Sequence, residues 1–208
     1  MRIIYNKFVS INTIKLLYLT IFFSIVTVSI SCKAINNEFY GTEFKDAQKA
    51  FPFNLTDQYN NKFSLNNTND IKIITFLYSN CTDICPTTTL KLREIYNNLH
   101  EFKNKFKIIV ISVDPENDTP ESTLKYSQAY KMSDKWVFLT GHQSQLSEIW
   151  EKYYISTWIT TNNNQNTFDI NHAAPIYIID QNQNIKLLHT EPIVAKEIVH
   201  DIKLLINK

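Results

Sequence analysis

The sequence predicts an α/β fold, a central mixed sheet flanked by helices, behind an N-terminal membrane anchor or signal segment. Residues 16–30 form an uncharged apolar run close to the N-terminus. After it, short apolar runs alternate with segments whose apolar residues recur at helical spacing. The 208 residues are 44% hydrophobic and 13% aromatic, which suits one packed domain with an appendage.

The first segment, residues 1–33, is predicted to direct export. Lys7 and Lys15 precede the apolar run, and this order is typical of secretory signals and signal anchors. We favour a retained anchor, while cleavage and lipid attachment at Cys32 stay open. In each case the short basic N-terminus remains inside. The domain would then face the periplasm from the inner membrane, or the equivalent intermembrane space.

Composition argues against two classes of function. Gly41 and Gly141 are the only glycines, so the chain lacks the glycine-rich loops that cradle phosphates. Beyond residue 33 the chain keeps 17 of its 21 basic side chains against all 20 acidic ones, a net charge of −3. No basic stripe with interleaved aromatic residues occurs there. We therefore expect no nucleic-acid partner.

The elements of the domain follow from the local patterns. Residues 34–50 are polar and are predicted to be a tether, so the domain is expected over residues 51–208. Unbroken apolar runs are typical of strands buried on both faces, and Thr119 before Pro120 is a helix-start signal. Strands are predicted at 71–78, 107–113 and 136–139, hairpins at 51–65 and 175–188, helices at 86–103, 120–132, 143–154 and 194–206, and a polar loop at 160–166.

Two cysteines stand between the first long strand and its helix, an order typical of a thioredoxin-like domain. The start of a helix favours thiolate, which is both the nucleophile and the metal ligand of cysteine. Three residues separate Cys81 from Cys85, whereas thioredoxin-type redox motifs have two. The spacing permits a disulfide and also a soft two-sulfur site that suits Cu(I) and accepts a third ligand. A structural zinc site would need more ligands than the domain's cysteines supply.

Five histidines are candidates for that third ligand. His172 directly precedes a predicted buried strand, where a thioredoxin-like domain has a proline-containing turn beside its cysteines. His142 is a weaker candidate, in a turn. His100 and His200 are expected in solvent, and His189 at the surface or in packing. We therefore expect His172 to join the cysteines.

At these motifs the chain resembles the Sco (SenC) family of copper-binding, thioredoxin-like proteins that serve cytochrome c oxidase assembly. The resemblance covers roughly residues 50–207 and rests on residues 81–86, 113–120 and 169–180. It implies that Cys81, Cys85 and His172 bind one copper per chain, as Cu(I) or Cu(II). It also implies a non-enzymatic copper chaperone that helps to build the CuA centre of oxidase subunit II by metal delivery, thiol reduction or both. The partner would be that subunit or another copper carrier.

The sequence departs from the family pattern near two ligands. Asn80 and Thr82 flank Cys81 where the family often has His and Pro. Asn171 stands before His172 where Asp is common, and Asp169 is a substitute partner for its imidazole. The loop at 114–120 is interpreted chiefly as a structural turn, with a partner contact as the alternative.

Two rival functions use the same cysteines. A membrane-anchored thiol–disulfide oxidoreductase would cycle Cys81 and Cys85 between dithiol and disulfide, with His172 helpful but not required. A peroxidase is disfavoured, although residues 82–85 match its T-x-x-C motif. Tyr78 stands where peroxidases have a proline, and Arg93 is the only arginine of the domain.

Overall fold

The structure is a computed structural model that describes residues 38–67, 69–162, 167–172 and 174–207. Within these ranges it has ten strands and four α-helices. The strands are β1 Thr42–Lys49, β2 Asn54–Thr56, β3 Lys62–Ser64, β4 Ile71–Leu77, β5 Phe106–Ser112, β6 Trp136–Leu139, β7 Thr157–Asn162, β8 Thr167–His172, β9 Ile176–Ile179 and β10 Asn184–His189. The helices are α1 Ile84–Asn98, α2 Pro120–Ala129, α3 Gln143–Lys152 and α4 Ala195–Ile206.

Six strands form a central sheet in the order β1-β10-β9-β4-β5-β6, and two further pairs, β2-β3 and β7-β8, form separate hairpins. Strand β4 lies inside the sheet, parallel to β5 and antiparallel to β9. Every residue of β4 is buried. Its sequence, apolar except for Lys72 and Thr75, suits this position, because a strand covered on both faces has no solvent-facing side chains. The predicted mixed sheet with helices is confirmed.

The predicted start of the helix at residue 120 is also confirmed. The Ser122 amide donates to Thr119 Oγ1 at 3.1 Å, and the Thr119 amide donates to Ser122 Oγ at 2.9 Å. These reciprocal bonds satisfy two amide groups that a helix leaves without partners at its first turn. Pro120 takes the first helical position, where its missing N–H costs nothing.

The prediction of a tether over residues 34–50 is wrong for residues 42–49. These residues form β1, an edge strand antiparallel to β10, with Thr42 opposite Leu188 and an irregular register between Glu43 and Gln48. The side chains of β1 are polar because most of them face solvent. Its partner lies far along the chain, so a local sequence pattern does not reveal the pairing.

Strand β7 takes in residues 160–162 of the polar loop predicted at residues 160–166, and it forms a hairpin with β8. The two strands pair antiparallel from Thr157 opposite His172 to Asn162 opposite Thr167. The hairpin lies outside the central sheet. Residues 163–166 lie outside the described residues.

A buried carboxylate fastens the beginning of the described chain to the last helix. Asp201 of α4 is fully buried and accepts hydrogen bonds from the amides of Tyr40, at 3.0 Å, and Gly41, at 2.8 Å. His189 Nε2 lies 3.1 Å from its Oδ2. A Cβ on Gly41 would lie 2.6 Å from that nitrogen, so this position requires glycine.

The predicted anchor, residues 16–30, and Cys32 lie outside the described residues. Within the ranges that the structure describes, no helix combines the length and the apolar composition needed to cross a bilayer.

Replacing Asp201 tests the fastening of the chain's beginning. Although burial alone would raise it, the contacts with His189, the two amides and His200 hold the pKa of Asp201 below its usual value. We expect Asp201→Ala to lower the free energy of unfolding at pH 7 by about 3 kcal/mol, because the buried donors lose their acceptor.

Urea denaturation at several pH values measures this effect. A carboxyl with a lowered pKa stabilises the fold above the pKa of its unfolded form, about 3.9, and that contribution is lost as the pH falls through the folded pKa. The difference between the two proteins should therefore shrink below about pH 4. Asp134→Ala, at an exposed aspartate, is the control and should leave stability unchanged. An equal loss in both variants would contradict this account.

Candidate metal and thiol site

The two cysteines lie in the turn that joins β4 to α1. Cys81 follows the strand by four residues, and its amide donates to the Tyr78 carbonyl at 3.4 Å. Cys85 is the second residue of α1. Cys85 is fully buried, while Cys81 keeps 8% of its surface exposed. Solvent and partners therefore reach the pair through Cys81.

A sulfur atom contacts the helix start where an oxygen usually does. Asp83, the N-cap residue of α1, makes no side-chain hydrogen bond to the helix. Instead, the Cys85 amide donates to Cys81 Sγ at 3.4 Å. Free amides at a helix start and the helix dipole both favour a negatively charged acceptor. The start of α1 is therefore a place for thiolate.

In the reduced pair, the pKa values of Cys81 and Cys85 are shifted in opposite directions. A hydrogen bond with the Cys85 side chain is the largest cause that lowers the pKa of Cys81, and burial opposes it. With smaller contributions from the amides of Asp83 and Cys85 and from the Tyr78 side chain, the pKa falls to about 6. The same sulfur contact and burial raise the pKa of Cys85 strongly. At neutral pH the reduced pair is thus a Cys81 thiolate beside a Cys85 thiol.

The loop between β5 and α2 contacts the cysteine turn. Asp118 Oδ1 accepts hydrogen bonds from the amide of Ser79, at 3.0 Å, and from its hydroxyl, at 2.5 Å. Asp118 Oδ2 accepts from Ser112 Oγ at 2.6 Å. Burial raises the pKa of Asp118 to about 6, although the hydrogen bonds from both serines favour the ionised form. The interpretation of this loop chiefly as a structural turn did not include this contact, whose only sequence signal is a second aspartate four residues after Asp114.

Four of the five histidines have side chains that the structure describes. His189 and His200 each contact Asp201. His189 is buried, as its packing interpretation predicts, and His200 is partly buried rather than fully in solvent. His100 follows the C-terminal end of α1, a helix of 15 residues, and so lies about 22 Å along the helix from its start. His142 begins α3, where its amide donates to the Gln145 side chain.

His172 is the last residue of β8, four positions before β9 begins. Its side chain lies outside what the structure describes, so its predicted role stays a prediction. Strand β9 runs antiparallel to β4, with Ile74 opposite Tyr177. The chain that enters β9 therefore arrives at the end of the sheet where β4 leads into the cysteine turn. Among the side chains described, no group of three His, Cys, Asp or Glu converges as a metal site.

Comparison with known proteins assigns the chain to a family. The SCO1/SenC family model matches residues 42–207. The chain belongs to the SCO1/SenC family. It is similar to the SCO2-like protein RP587 of Rickettsia prowazekii, with 30% identity over 154 residues, 73% of this chain and 74% of that protein. It is also similar to the SCO1 protein homolog of Bacillus subtilis, with 34% identity over 113 residues, 52% of this chain and 58% of that protein.

Solved structures of the family share the fold. Yeast Sco1, solved with copper bound, superposes with a TM-score of 0.67 at 25% identity, covering 77% of this chain and 90% of that one. Apo Sco1 of Thermus thermophilus superposes with a TM-score of 0.69 at 24% identity, covering 81% and 97%. The family resemblance seen at the motifs is confirmed.

The unequal protonation of the cysteines is testable by alkylation. In the reduced protein, the rate of Cys81 modification by iodoacetamide should rise with an inflection near pH 6, because thiolate is the reacting form. Cys85 should stay unmodified through pH 9, because it is buried and keeps its proton. Peptide mass spectrometry separates the two sites. An inflection near the usual value of about 8.5, or earlier labelling of Cys85, would contradict the assignment.

Proposed function

We propose that this chain is a copper chaperone that binds one copper ion through Cys81, Cys85 and His172 and helps to build the CuA centre of cytochrome c oxidase subunit II. The observation that carries the proposal is the reduced cysteine pair at the start of α1, with one sulfur already favoured as thiolate. Copper is here a cargo, received from one carrier and passed to another.

The donor set of the cysteine turn fits copper. The side chains of Cys81 and Cys85 are in hydrogen-bond contact, so an ion that replaced the proton between them would bond both sulfurs. Thiolates are soft ligands and favour Cu(I). Binding would release the Cys85 proton, since a ligating thiol is deprotonated. Burial of the pair would then shield the bound ion from water.

His172 is proposed as the nitrogen ligand. The antiparallel pairing of β9 with β4 brings the chain that contains His172 to the end of the sheet where the cysteine turn begins. Of the other four histidines, His189 and His200 contact Asp201, His100 follows the C-terminal end of α1, and His142 is the N-cap residue of α3. An imidazole completes a three-coordinate site that two sulfurs leave unfilled.

The relatives support the role and the location. Sco proteins of Arabidopsis thaliana, Bradyrhizobium japonicum and yeast were solved with copper bound, and BsSco is described as a member of the Sco family of cytochrome c oxidase assembly proteins. Relatives include mitochondrial Sco proteins of yeast and a Bacillus anthracis lipoprotein. We therefore propose an exported domain held at a membrane by residues 1–33.

Thiol–disulfide exchange is the second candidate function, favoured by the unequal pKa values of the cysteines. The Cys81 thiolate would attack a disulfide of a target protein and form a mixed disulfide as the target's leaving sulfur takes up a proton. Cys85, after giving up its proton, would then attack Cys81 and release the second target thiol. The target gains two electrons and two protons, and this chain keeps the disulfide.

A competitive titration with Cu(I) distinguishes the two functions. Anaerobically reduced wild type should bind one equivalent tightly against a chelator such as bathocuproine disulfonate. Cys81→Ser and Cys85→Ser should each lose affinity by at least about 10²-fold, and His172→Ala by about 10-fold or more, because each removes one ligand. His142→Ala is the control and should bind as wild type does.

Two results would contradict the copper proposal. Unchanged affinity in His172→Ala would assign the third ligand elsewhere. Absence of tight binding in wild type, together with reversible formation of the disulfide between Cys81 and Cys85, would favour the oxidoreductase.

A further inference from the structure

The loop of residues 113–119 has no role in the copper proposal. Its Asp118, however, binds Ser79, the residue that leads into the cysteine turn. Asp118 is 4% exposed. It joins three segments: its own loop, Ser112 at the end of β5, and Ser79 just beyond the end of β4. The carboxylate therefore ties the ends of two neighbouring strands to each other.

The contacts of Asp118 hold both the backbone and the side chain of Ser79. One oxygen of Asp118 accepts from both the amide and the hydroxyl of Ser79, at 3.0 Å and 2.5 Å. Ser79 stands two residues before Cys81. Holding its backbone and its side chain together defines the direction in which the chain leaves β4, and with it the position of the Cys81 sulfur.

The loop does not need Asp118 for its own closure. Asn117 Nδ2 donates to both oxygens of Asp114, at 3.0 Å and 2.9 Å, and the Asp118 amide donates to the Asp114 carbonyl at 2.8 Å. The reciprocal bonds of Thr119 and Ser122 close the other end of the loop. The carboxylate of Asp118 is thus directed away from its own loop, toward the strands.

Burying a carboxylate is unfavourable in free energy unless hydrogen bonds compensate for the water contacts that it loses. Three donors do so here, the amide and hydroxyl of Ser79 and the hydroxyl of Ser112. Loss of the carboxylate would therefore loosen the turn that holds the pair.

We propose that Asp118 is a positioning residue that, through Ser79, keeps the Cys81 and Cys85 sulfurs together and so favours the states in which they are joined. In the apo protein the joined state is the disulfide. A looser turn lowers the effective concentration of one thiol at the other, and this shifts the equilibrium toward the dithiol. The inference concerns the apo pair, so it holds or fails independently of copper binding.

Equilibration in glutathione redox buffers at pH 7 tests the proposal. The disulfide between Cys81 and Cys85 takes two electrons and two protons from two molecules of reduced glutathione, giving two protein thiols and one oxidised glutathione. Acid-quenched alkylation and mass measurement report the fraction in each state. In Asp118→Asn the equilibrium constant for disulfide formation should fall about ten-fold, in line with the loss of a hydrogen bond to a charged group.

Two further variants separate positioning from general loosening. Ser79→Ala keeps the backbone amide and should shift the equilibrium in the same direction but less, and the double variant should shift it by less than the two effects combined. Asp57→Asn makes the same change at another buried aspartate, which accepts from the amides of Tyr59 and Asn61 in the β2–β3 turn. It should leave the equilibrium within two-fold of wild type.

A folded Asp118→Asn variant with the wild-type equilibrium would overturn the proposal. An equal shift in Asp57→Asn would also overturn it, because the effect would then be nonspecific. If Asp118→Asn does not fold, Ser79→Ala decides: a shift toward the dithiol supports the proposal, and no shift refutes it.

Discussion

At the start of helix α1, a sulfur atom accepts a hydrogen bond that a side-chain oxygen usually accepts. The Cys85 amide donates to Cys81 Sγ, and the N-cap residue Asp83 makes no side-chain hydrogen bond to the helix. The bond satisfies a helix amide and stabilises the negative charge of the sulfur at the same time. The first helical turn and the Cys81 thiolate are therefore stabilised by the same hydrogen bond. A change in the bonding of this sulfur thus affects the start of the helix.

The neighbours of β4 bring two further segments of the chain to the end of the sheet where β4 leads into the cysteine turn. On one side, parallel β5 ends at Ser112 and leads into the loop with Asp118. On the other side, antiparallel β9 begins just after the chain that contains His172. The cysteine turn lies between the two, so residues far apart in sequence meet at one end of the sheet. A mixed sheet is essential here, because only an antiparallel neighbour brings the start of its strand to that end.

In the proposed function, copper binding and disulfide formation would compete for the same two sulfurs. A pair that holds copper would be protected from oxidation, and an oxidised pair would have no thiolate to offer a metal. The unequal pKa values suit both reactions, since the Cys81 thiolate would start each of them. The role of the chain would then depend on which reactant meets Cys81 first, a reduced carrier with Cu(I) or a target disulfide.

The sequence predicts those parts of the fold that local patterns determine. The almost unbroken apolar run of β4 and the cap residues of α2 are examples, because burial on both faces and helix capping can be recognised in the local sequence. Strand β1 was not predicted, since most of its side chains are polar and exposed and it pairs with a strand far along the chain. The β7–β8 hairpin was not predicted, because residues 160–166 have the polar composition of a loop. The pair of cysteines was predicted, but the difference between their pKa values was not, because it arises from one sulfur contact and from burial.

The account rests on a site of two sulfurs and one nitrogen, and X-ray absorption at the copper K-edge observes those atoms directly. The full chain, loaded with one equivalent of Cu(I), should give a spectrum fitted by two sulfur ligands and one nitrogen ligand per copper. In His172→Ala the nitrogen contribution should disappear while both sulfurs remain. A spectrum without sulfur ligands, or one that His172→Ala leaves unchanged, would contradict the site.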